Sequence, residues 1–215
     1  MGSAMARYVT EFIGAFFLVL TIGLATLQDV VPAPLAIGGA LMVMVYMGRH
    51  ISGAHYNPAI SIAVTILGKL ERTELLPYIV AQIAGTLAAA LVVQKLTGDF
   101  LAVAPGAGVP TTAALLAEVL YTFALALVIL NVAISPRTEG NSHYGLTIGF
   151  TVMTGAFAVG DISGGVFNPA VGTGPILASL AGGGSLDSLW LYWAGPVAGA
   201  VLAVPVYRLQ HRHGD

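Results

Sequence analysis

The sequence has no cysteine and very little charge. Without cysteine the chain forms no disulfide and holds no metal through thiolates. Only 8% of its 215 residues are charged, against about 25% in an average soluble domain, and the net charge of -2 is too small to indicate a nucleic-acid partner. With 57% hydrophobic residues and a mean hydropathy of +0.87, the chain cannot cover a water-facing surface with polar side chains. We therefore expect it to lie in a lipid bilayer.

Long apolar segments predict six membrane spans, each of which needs about 20 residues. Two further apolar segments, 58–68 and 169–180, are only half that length. Irregular backbone at membrane depth is tolerated only against protein or a water-filled cavity, so these two segments predict a cavity. The six spans are predicted at approximately 8–27, 35–47, 75–96, 113–134, 144–159 and 189–209.

Basic residues are concentrated on one predicted side of the membrane. An even number of spans places both termini on that side, and the other side receives only Lys95. By the positive-inside rule, both termini are predicted to be cytoplasmic in a multi-pass protein of the cell membrane. Short loops and tails favour a prokaryotic plasma membrane. The basic residues on the predicted cytoplasmic side are Arg7, Arg49, Lys69, Arg72, Arg137, Arg208 and Arg212.

The two halves of the chain repeat each other. Residues 50–60 align without gaps on residues 161–171, and six of the eleven positions are identical. Because each half contains three spans, the second copy enters the membrane from the opposite side. In such an inverted repeat the site lies near the midplane, where the copies meet. We predict one transmembrane channel domain, 1–215, with a first repeat at 5–98 and a second at 112–209.

Each half-length segment opens with the same three residues, in Asn57-Pro58-Ala59 and Asn168-Pro169-Ala170. Asparagine suits a helix N-cap and proline suits the first turn. A single Asn-Pro-Ala is only a capped helix start, whereas two copies within an inverted repeat indicate a pore. Two helices meeting tip to tip bring two positive dipole ends, each about half a unit charge, to one point and so oppose cations. A water that accepts from both amides cannot continue the hydrogen-bonded chain that a proton needs.

The whole chain resembles the major intrinsic protein family, the aquaporins and glycerol channels. The resemblance rests on both Asn-Pro-Ala motifs, on segments 11–17 and 50–59, and on Gly-Pro at 174–175 and 195–196. It implies an all-α membrane fold with six transmembrane helices plus two re-entrant half-helices. It also implies one pore per chain, passage of water or a small neutral solute, and a homotetramer. No cofactor, metal or enzyme activity is implied.

Two carboxylates lie inside predicted spans, where a charge is costly and is usually functional or paired. The resemblance implies that Glu11 and Glu118 each accept backbone N–H groups from a neighbouring re-entrant loop. The alternative is a proton relay or a coupling-ion site. His50 and Asp161 occupy equivalent positions in the repeat. His50 either lines the cytoplasmic mouth or lies in a polar loop, and Asp161 either concentrates cations at the outer mouth or is a solvated loop acid.

One position departs from the family pattern. Members usually read Asn-Pro-Ala-Arg at the second motif, and that arginine helps to form the narrowest point, but here the residue is Val171. Family spacing places the other three selectivity-filter positions at Ile37, Ala156 and Gly165. A unit charge about 5 Å from a cation contributes about 3 kcal/mol of repulsion at an effective dielectric of about 20. Without it we expect a wider, less polar filter that is still largely closed to ions, with glycerol, urea, ammonia and hydrogen peroxide as candidate solutes beside water.

Two other functions are compatible with the sequence. A secondary transporter coupled to protons through Glu11 or Glu118 predicts a saturable flux that responds to a proton gradient. A non-conducting structural protein predicts no osmotic permeability above that of bare lipid. Nothing resembles a coupling-ion site, and the short loops argue against a scaffold. An enzyme is not indicated, because the histidines lack metal-ligand spacing and no catalytic triad pattern is present.

Overall fold

The computed structural model describes residues 2–29 and 32–211, so Arg212 lies outside the described residues. Eight α-helices follow one another along these residues. A π-helical turn at Leu130–Ile134 continues the fifth of them. The helices are α1 Gly2–Leu27, α2 Ala33–Ser52, α3 Pro58–Ile66, α4 Arg72–Thr97, α5 Thr111–Ile129, α6 Tyr144–Ser163, α7 Pro169–Ser179 and α8 Leu189–Gln210.

Six of these helices are long and apolar enough to cross a membrane, which confirms the six predicted spans. The predicted second span, 35–47, is too short, because α2 continues to Ser52. The charge of Arg49 does not end the helix, since its Nη2 donates to the carbonyl of Ala133 at 2.7 Å. Its guanidinium also lies 4.5 Å from the ring centroid of Tyr144. Because these contacts compensate the charge, the helix can extend past it.

The two half-helices are also present, as α3 with 9 residues and α7 with 11. Each begins at the proline of its motif, and the preceding asparagine caps it. Oδ1 of Asn57 accepts from the backbone N–H of Ala59 at 2.9 Å, and Oδ1 of Asn168 accepts from that of Ala170 at 2.9 Å. Six spans plus two half-helices are the fold that the sequence predicts.

The two halves interlock through the half-helices. Within each half the first and last spans pack together, α1 on α4 and α5 on α8, while α2 packs on α6 across the halves. Each half-helix packs mainly on the last span of the other half, α3 on α8 and α7 on α4. A helix as short as a half-helix is only marginally stable by itself in water, so packing on the opposite half stabilises it.

Candidate functional site

The N-termini of α3 and α7 meet, joined by two reciprocal hydrogen bonds. Nδ2 of Asn57 donates to the carbonyl of Phe167 at 2.9 Å, and Nδ2 of Asn168 donates to the carbonyl of Tyr56 at 2.8 Å. An amide nitrogen carries two hydrogens. Each asparagine therefore uses one N–H to hold the opposite loop and keeps one for another acceptor.

The loops that lead into the two asparagines share an unusual backbone. Three non-glycine residues, Ala54, Tyr56 and Phe167, have φ between 50° and 54°. Left-handed backbone costs a non-glycine residue about 1–2 kcal/mol, so surrounding contacts must hold these loops. At the positions equivalent to 53 and 54 in the second loop, glycine adopts the same left-handed backbone, at Gly164 and Gly165.

Glu11 accepts hydrogen bonds from the loop that precedes Asn57. Its Oε1 accepts from Ser52 Oγ at 2.7 Å and from the backbone N–H of His55 at 2.9 Å. Its Oε2 accepts from the backbone N–H of Tyr56 at 2.6 Å and from Gln82 Nε2 at 2.8 Å. The side chain is 0% exposed. All four donors are fixed groups of the protein, so the carboxylate orders the strained loop.

Glu118 holds the second loop in the same way. It accepts from Ser163 Oγ at 2.7 Å, from the backbone N–H of Val166 at 2.9 Å and from that of Phe167 at 2.6 Å. It too is 0% exposed. Neither glutamate lines the cavity described next. These contacts favour the structural interpretation of both carboxylates over a proton relay.

A cavity of about 150 Å³ lies alongside the two asparagines. Its walls are mostly aliphatic. Several wall residues of the first half have an equivalent wall residue in the second half, in the same alignment that places Asn57 on Asn168. The wall residues of α2 lie four positions apart, on one helical face, and so do those of α6. The pairs are Ile37 with Ile148, Leu41 with Val152, Val45 with Ala156, and Ile60 with Val171.

All four predicted filter residues line this one cavity, together with both asparagines. They come from α2 (Ile37), α6 (Ala156), the loop before α7 (Gly165) and the first turn of α7 (Val171). Val171 is only 4% exposed, because its side chain packs among its neighbours. The structure thus brings together the residues that family spacing identified, and none of the four offers a side-chain hydrogen bond.

The two predicted mouth residues do not line the cavity. His50 and Asp161 are both exposed and lie in the last turns of α2 and α6. They are therefore helical rather than loop residues, because each helix continues to a serine beyond them. The structure thus places both residues on helices, and their proposed positions at the two pore mouths stay predictions.

Within the described residues no Asp, Glu, Lys or Arg side chain lines the cavity. The lining residues with polar side chains are Thr26, His55, Tyr56, Asn57 and Asn168. Sequence reasoning missed His55 as a lining residue, although it stands two positions before Asn57 and aligns with the lining residue Val166. Its Nδ1 lies 3.0 Å from Ser61 Oγ.

Sequence reasoning also missed a segment of the loop between α4 and α5, 101–104, that lines the cavity. No motif or periodicity marks this segment in the sequence. The described residues contain no group of three or more potential ligands placed to hold a metal ion.

Comparison with known proteins identifies the family. The family described as Major intrinsic protein matches residues 2–207. The chain belongs to the major intrinsic protein family. Members of this family are passive channels and not enzymes, so the protein is an aquaporin-like multi-pass membrane channel for water or small solutes.

Relatives extend over almost the whole chain. The chain is 36% identical over 210 residues to "Glycerol uptake facilitator protein-like 6" of Lactiplantibacillus plantarum, covering 93% of this chain and 95% of that one. It is 32% identical over 244 residues to "Aquaporin AqpM" of Methanothermobacter thermautotrophicus, covering 97% and 98%. The X-ray structure of the aquaglyceroporin from Plasmodium falciparum matches with a TM-score of 0.83 at 22% identity, over 98% of this chain and 96% of that one. This last likeness shows the fold.

Proposed function

We propose that each chain conducts water and small uncharged solutes passively through the cavity beside Asn57 and Asn168. Glycerol, urea, ammonia and hydrogen peroxide are the candidate solutes beside water. The observation that carries the proposal is the meeting of the two half-helix tips against a cavity that no Asp, Glu, Lys or Arg side chain of the described residues lines. A neutral solute meets no ionic barrier there, and its oxygen or nitrogen can accept the free N–H of each asparagine.

Ions are opposed by the half-helices and by the walls. The positive ends of α3 and α7 both face the midplane, and each is equivalent to about half a unit charge. An ion entering the narrow aliphatic part of the cavity also loses its hydration, which costs several kcal/mol even after relaxation. These two effects remain although Val171 supplies no positive charge.

The filter is proposed to be wider and less polar than one containing an arginine. Ile37, Ala156, Gly165 and Val171 contribute only aliphatic groups and backbone to this part of the cavity. A filter of this kind binds water weakly, but it places no aromatic side chain and no cation in the path of a larger solute. Solute selectivity is therefore expected to be loose, with a modest water conductance.

Filling the cavity tests the proposal. Ala156→Trp places an indole ring in the lumen, so osmotic swelling of proteoliposomes should fall to the level of bare lipid, and urea and glycerol uptake should fall with it. Val80→Trp is the matched control, because Val80 is 58% exposed on the outer surface of α4, and this variant should conduct like the native chain. Stopped-flow light scattering measures both. Conduction by Ala156→Trp at the native rate would exclude this cavity as the path.

The form of the flux separates the channel from a proton-coupled transporter. A channel gives a flux nearly linear in solute concentration and indifferent to a proton gradient. Both buried glutamates accept hydrogen bonds from fixed donors of the protein, four at Glu11 and three at Glu118, and neither lines the cavity, which favours the channel. Saturable uptake that follows an imposed proton gradient would favour the transporter, and no permeability above bare lipid would favour a non-conducting protein.

We further propose cytoplasmic termini, a prokaryotic cell membrane, a homotetramer, and repeats at 5–98 and 112–209. Contacts at one end of the bundle support the orientation: Arg7 Nη2 pairs with Glu74 at 3.2 Å, and Arg208 Nη2 donates to the carbonyl of Ile66 at 3.0 Å. Arg49 lies at the same end. This end carries most of the basic residues, as the positive-inside rule requires of the cytoplasmic side.

A further inference from the structure

Lining residues on three helices form rows that lead to one end of the pore. We call this the inner end; it is the end of the bundle at which α2 stops and α6 begins. The last lining residues before it are Val45 on α2, Ile129 on α5 and Ile148 on α6. Four residues along a helix cover about 6 Å and return to nearly the same face. The next residues in the three rows are therefore Arg49, Ala133 and Tyr144.

These three residues contact one another. Arg49 Nη2 donates to the carbonyl of Ala133 at 2.7 Å, and the guanidinium carbon lies 4.5 Å from the ring centroid of Tyr144. In the alignment of α1 with α5 that the two loop glutamates define, Ala133 is equivalent to Thr26, which lines the cavity at its other end. The guanidinium is thus held at the point to which all three rows lead.

The side chain of Arg49 joins two helices that are otherwise separate. α2 packs on α1 and α6, and α5 packs on α6 and α8, but within the described residues α2 and α5 do not pack closely on each other. Both of them line the cavity. The hydrogen bond from Arg49 to Ala133 therefore reaches from one wall of the pore to another.

A second tyrosine fixes the position of the first turn of α6. The hydroxyl of Tyr46 donates to the carbonyl of Ser142 at 3.0 Å and accepts from the backbone N–H of Leu146 at 3.1 Å. The rings of Tyr46 and Tyr144 meet edge to face, with their centroids 5.1 Å apart. Because Tyr144 is held in this way, the guanidinium above its ring also has a defined position.

The partners of Arg49 are uncharged, so this end of the pore keeps a positive charge. No carboxylate in residues 2–29 and 32–211 is within ion-pair distance of Arg49, and the ion pair found there joins Arg7 to Glu74. Arginine stays protonated in proteins. The lining contains no Lys or Arg of the described residues, and the positive charge stands one helical turn beyond it.

We propose that Arg49 is a specificity-determining residue, whose guanidinium forms the charge barrier to cations at the inner end of the pore. This inference rests on the proposed function, because it needs a conducting pore. It places the rejection of cations at the opposite end of the cavity from the aliphatic filter. The filter then limits neutral solutes by size, while Arg49 repels ions that carry a positive charge.

Urea and the guanidinium ion test the proposal, because both are small and planar and differ in charge. Arg49→Met removes the charge and keeps most of the length. At a distance of about 5 Å and an effective dielectric of about 50, the ratio of guanidinium to urea permeability should rise about tenfold. Arg49→Lys retains a positive charge and should keep a ratio close to the native one. Tracer uptake into proteoliposomes measures both solutes, and a native ratio in Arg49→Met would overturn the inference.

Arg208→Met is the matched control. Arg208 lies at the same end of the bundle and also donates to a backbone carbonyl, that of Ile66, at 3.0 Å. Neither residue lines the cavity, and α8 contributes no lining residue within the described part of the chain. Arg208→Met should therefore keep the native ratio of guanidinium to urea permeability. A rise equal to that in Arg49→Met would show that the general charge of this surface, and not Arg49, repels cations.

Arg49→Cys gives a second measurement that does not depend on the folding of Arg49→Met. The native chain has no cysteine, so a methanethiosulfonate reagent modifies the purified variant at this position alone. The aminoethyl reagent adds a positive charge, and the propyl reagent adds a neutral group of similar size. The aminoethyl adduct should have a low, nearly native ratio of guanidinium to urea permeability, and the propyl adduct a high one.

The outcomes separate this inference from the proposed function. Equal ratios in the two adducts would overturn the charge barrier at Arg49, while urea and water conduction by the native chain would stand. Absence of urea and water conduction by the native chain would instead overturn the proposed function.

Discussion

At the residue scale, each motif asparagine performs two structural tasks with one side chain. Asn57 uses Oδ1 to cap its own half-helix and one N–H to hold the loop of the other half, and Asn168 does the same in reverse. An alanine would lose both the cap, worth about 1 kcal/mol, and the bond between the halves. Only the remaining N–H of each amide is available to a passing molecule.

Two residues outside the lumen, Glu11 and Glu118, fix the geometry of the residues beside it. Glu11 and Glu118 never reach the cavity, yet their bonds to the backbone of Tyr56 and Phe167 hold those residues in a left-handed conformation. The functional carbonyls and amides depend on carboxylates that the solute never contacts. A buried charge in a span is therefore not evidence of a coupling site until its partners are known.

Replacing Val171 by arginine tests whether the filter lacks a charge barrier. Val171→Arg places a cation in the filter, so urea and glycerol permeability should fall relative to water permeability, and any residual cation leak should fall by up to about a hundredfold, from about 3 kcal/mol of added repulsion. Solute swelling assays and cation flux measurements in proteoliposomes check both effects.

The control for this prediction is Val171→Met, which adds length but no charge. If methionine and arginine change cation leak equally, bulk rather than charge controls the filter. An unchanged solute ratio in Val171→Arg would contradict the wide-filter proposal.

At the scale of elements, close helix approach organises the bundle. A Cβ on Gly199 of α8 would overlap the carbonyl oxygen of Val119 on α5, so these backbones are in direct contact. The corresponding contact in the first half lies between Gly85 of α4 and the carbonyl of Phe12 on α1. Small residues at such positions permit the packing that drives helix association in lipid.

Gly199→Ala tests this contact. The added methyl group must push α8 from α5, so we expect the unfolding temperature in detergent to fall by several degrees, as follows from a loss of about 1–3 kcal/mol on overpacking. In Gly39→Ala the new Cβ meets no atom within 4 Å, and stability should be unchanged or slightly higher, since alanine favours helix. Equal stability of the two variants would show that the α5–α8 contact yields without cost.

At the scale of the whole molecule, the two halves have the same helix arrangement but differ in the polar residues near the cavity. The halves match in their wall residues, their loop glutamates and their half-helices. They differ where His55 aligns with Val166. Tyr78 and Tyr192 donate to the equivalent carbonyls of Ser52 and Ser163, and these two tyrosines therefore align α4 with α8. In this alignment Gln82, which donates to Glu11 and Ser61, corresponds to Pro196. The polar network around Glu11 thus includes Gln82, Ser61 and His55, whereas the network around Glu118 has no side chain equivalent to Gln82 or His55.

The absence of cysteine makes orientation directly measurable. Asp99→Cys lies in the loop after α4, and His143→Cys in the loop before α6, both at exposed positions. If the termini are cytoplasmic, a membrane-impermeant maleimide should label Asp99→Cys in intact cells and His143→Cys only after permeabilisation. The cysteine-free native chain reports background labelling, and the reverse pattern would invert the proposed orientation.

Much of the fold could be read from the sequence, because spans and half-spans depend on the length of apolar runs, which is a one-dimensional property. The end of α2 could not be predicted, since the contacts of Arg49 with Ala133 and Tyr144 come from distant parts of the chain. The filter residues were found only through family spacing. The aliphatic walls, such as Leu41 and Val152, were not found at all, because hydropathy is the same for a side chain facing the lumen and one facing lipid.

By itself, the sequence determined that the chain spans a membrane six times, that its halves are inverted copies, and that two asparagine-capped half-helices interrupt it. These features follow from hydropathy, charge and repetition along the chain. Only the tertiary structure decided which aliphatic faces line the cavity, that His50 and Asp161 lie outside it, and that segment 101–104 enters it. Those outcomes depend on which surfaces the packed halves leave facing each other, and no local property of the sequence encodes that choice.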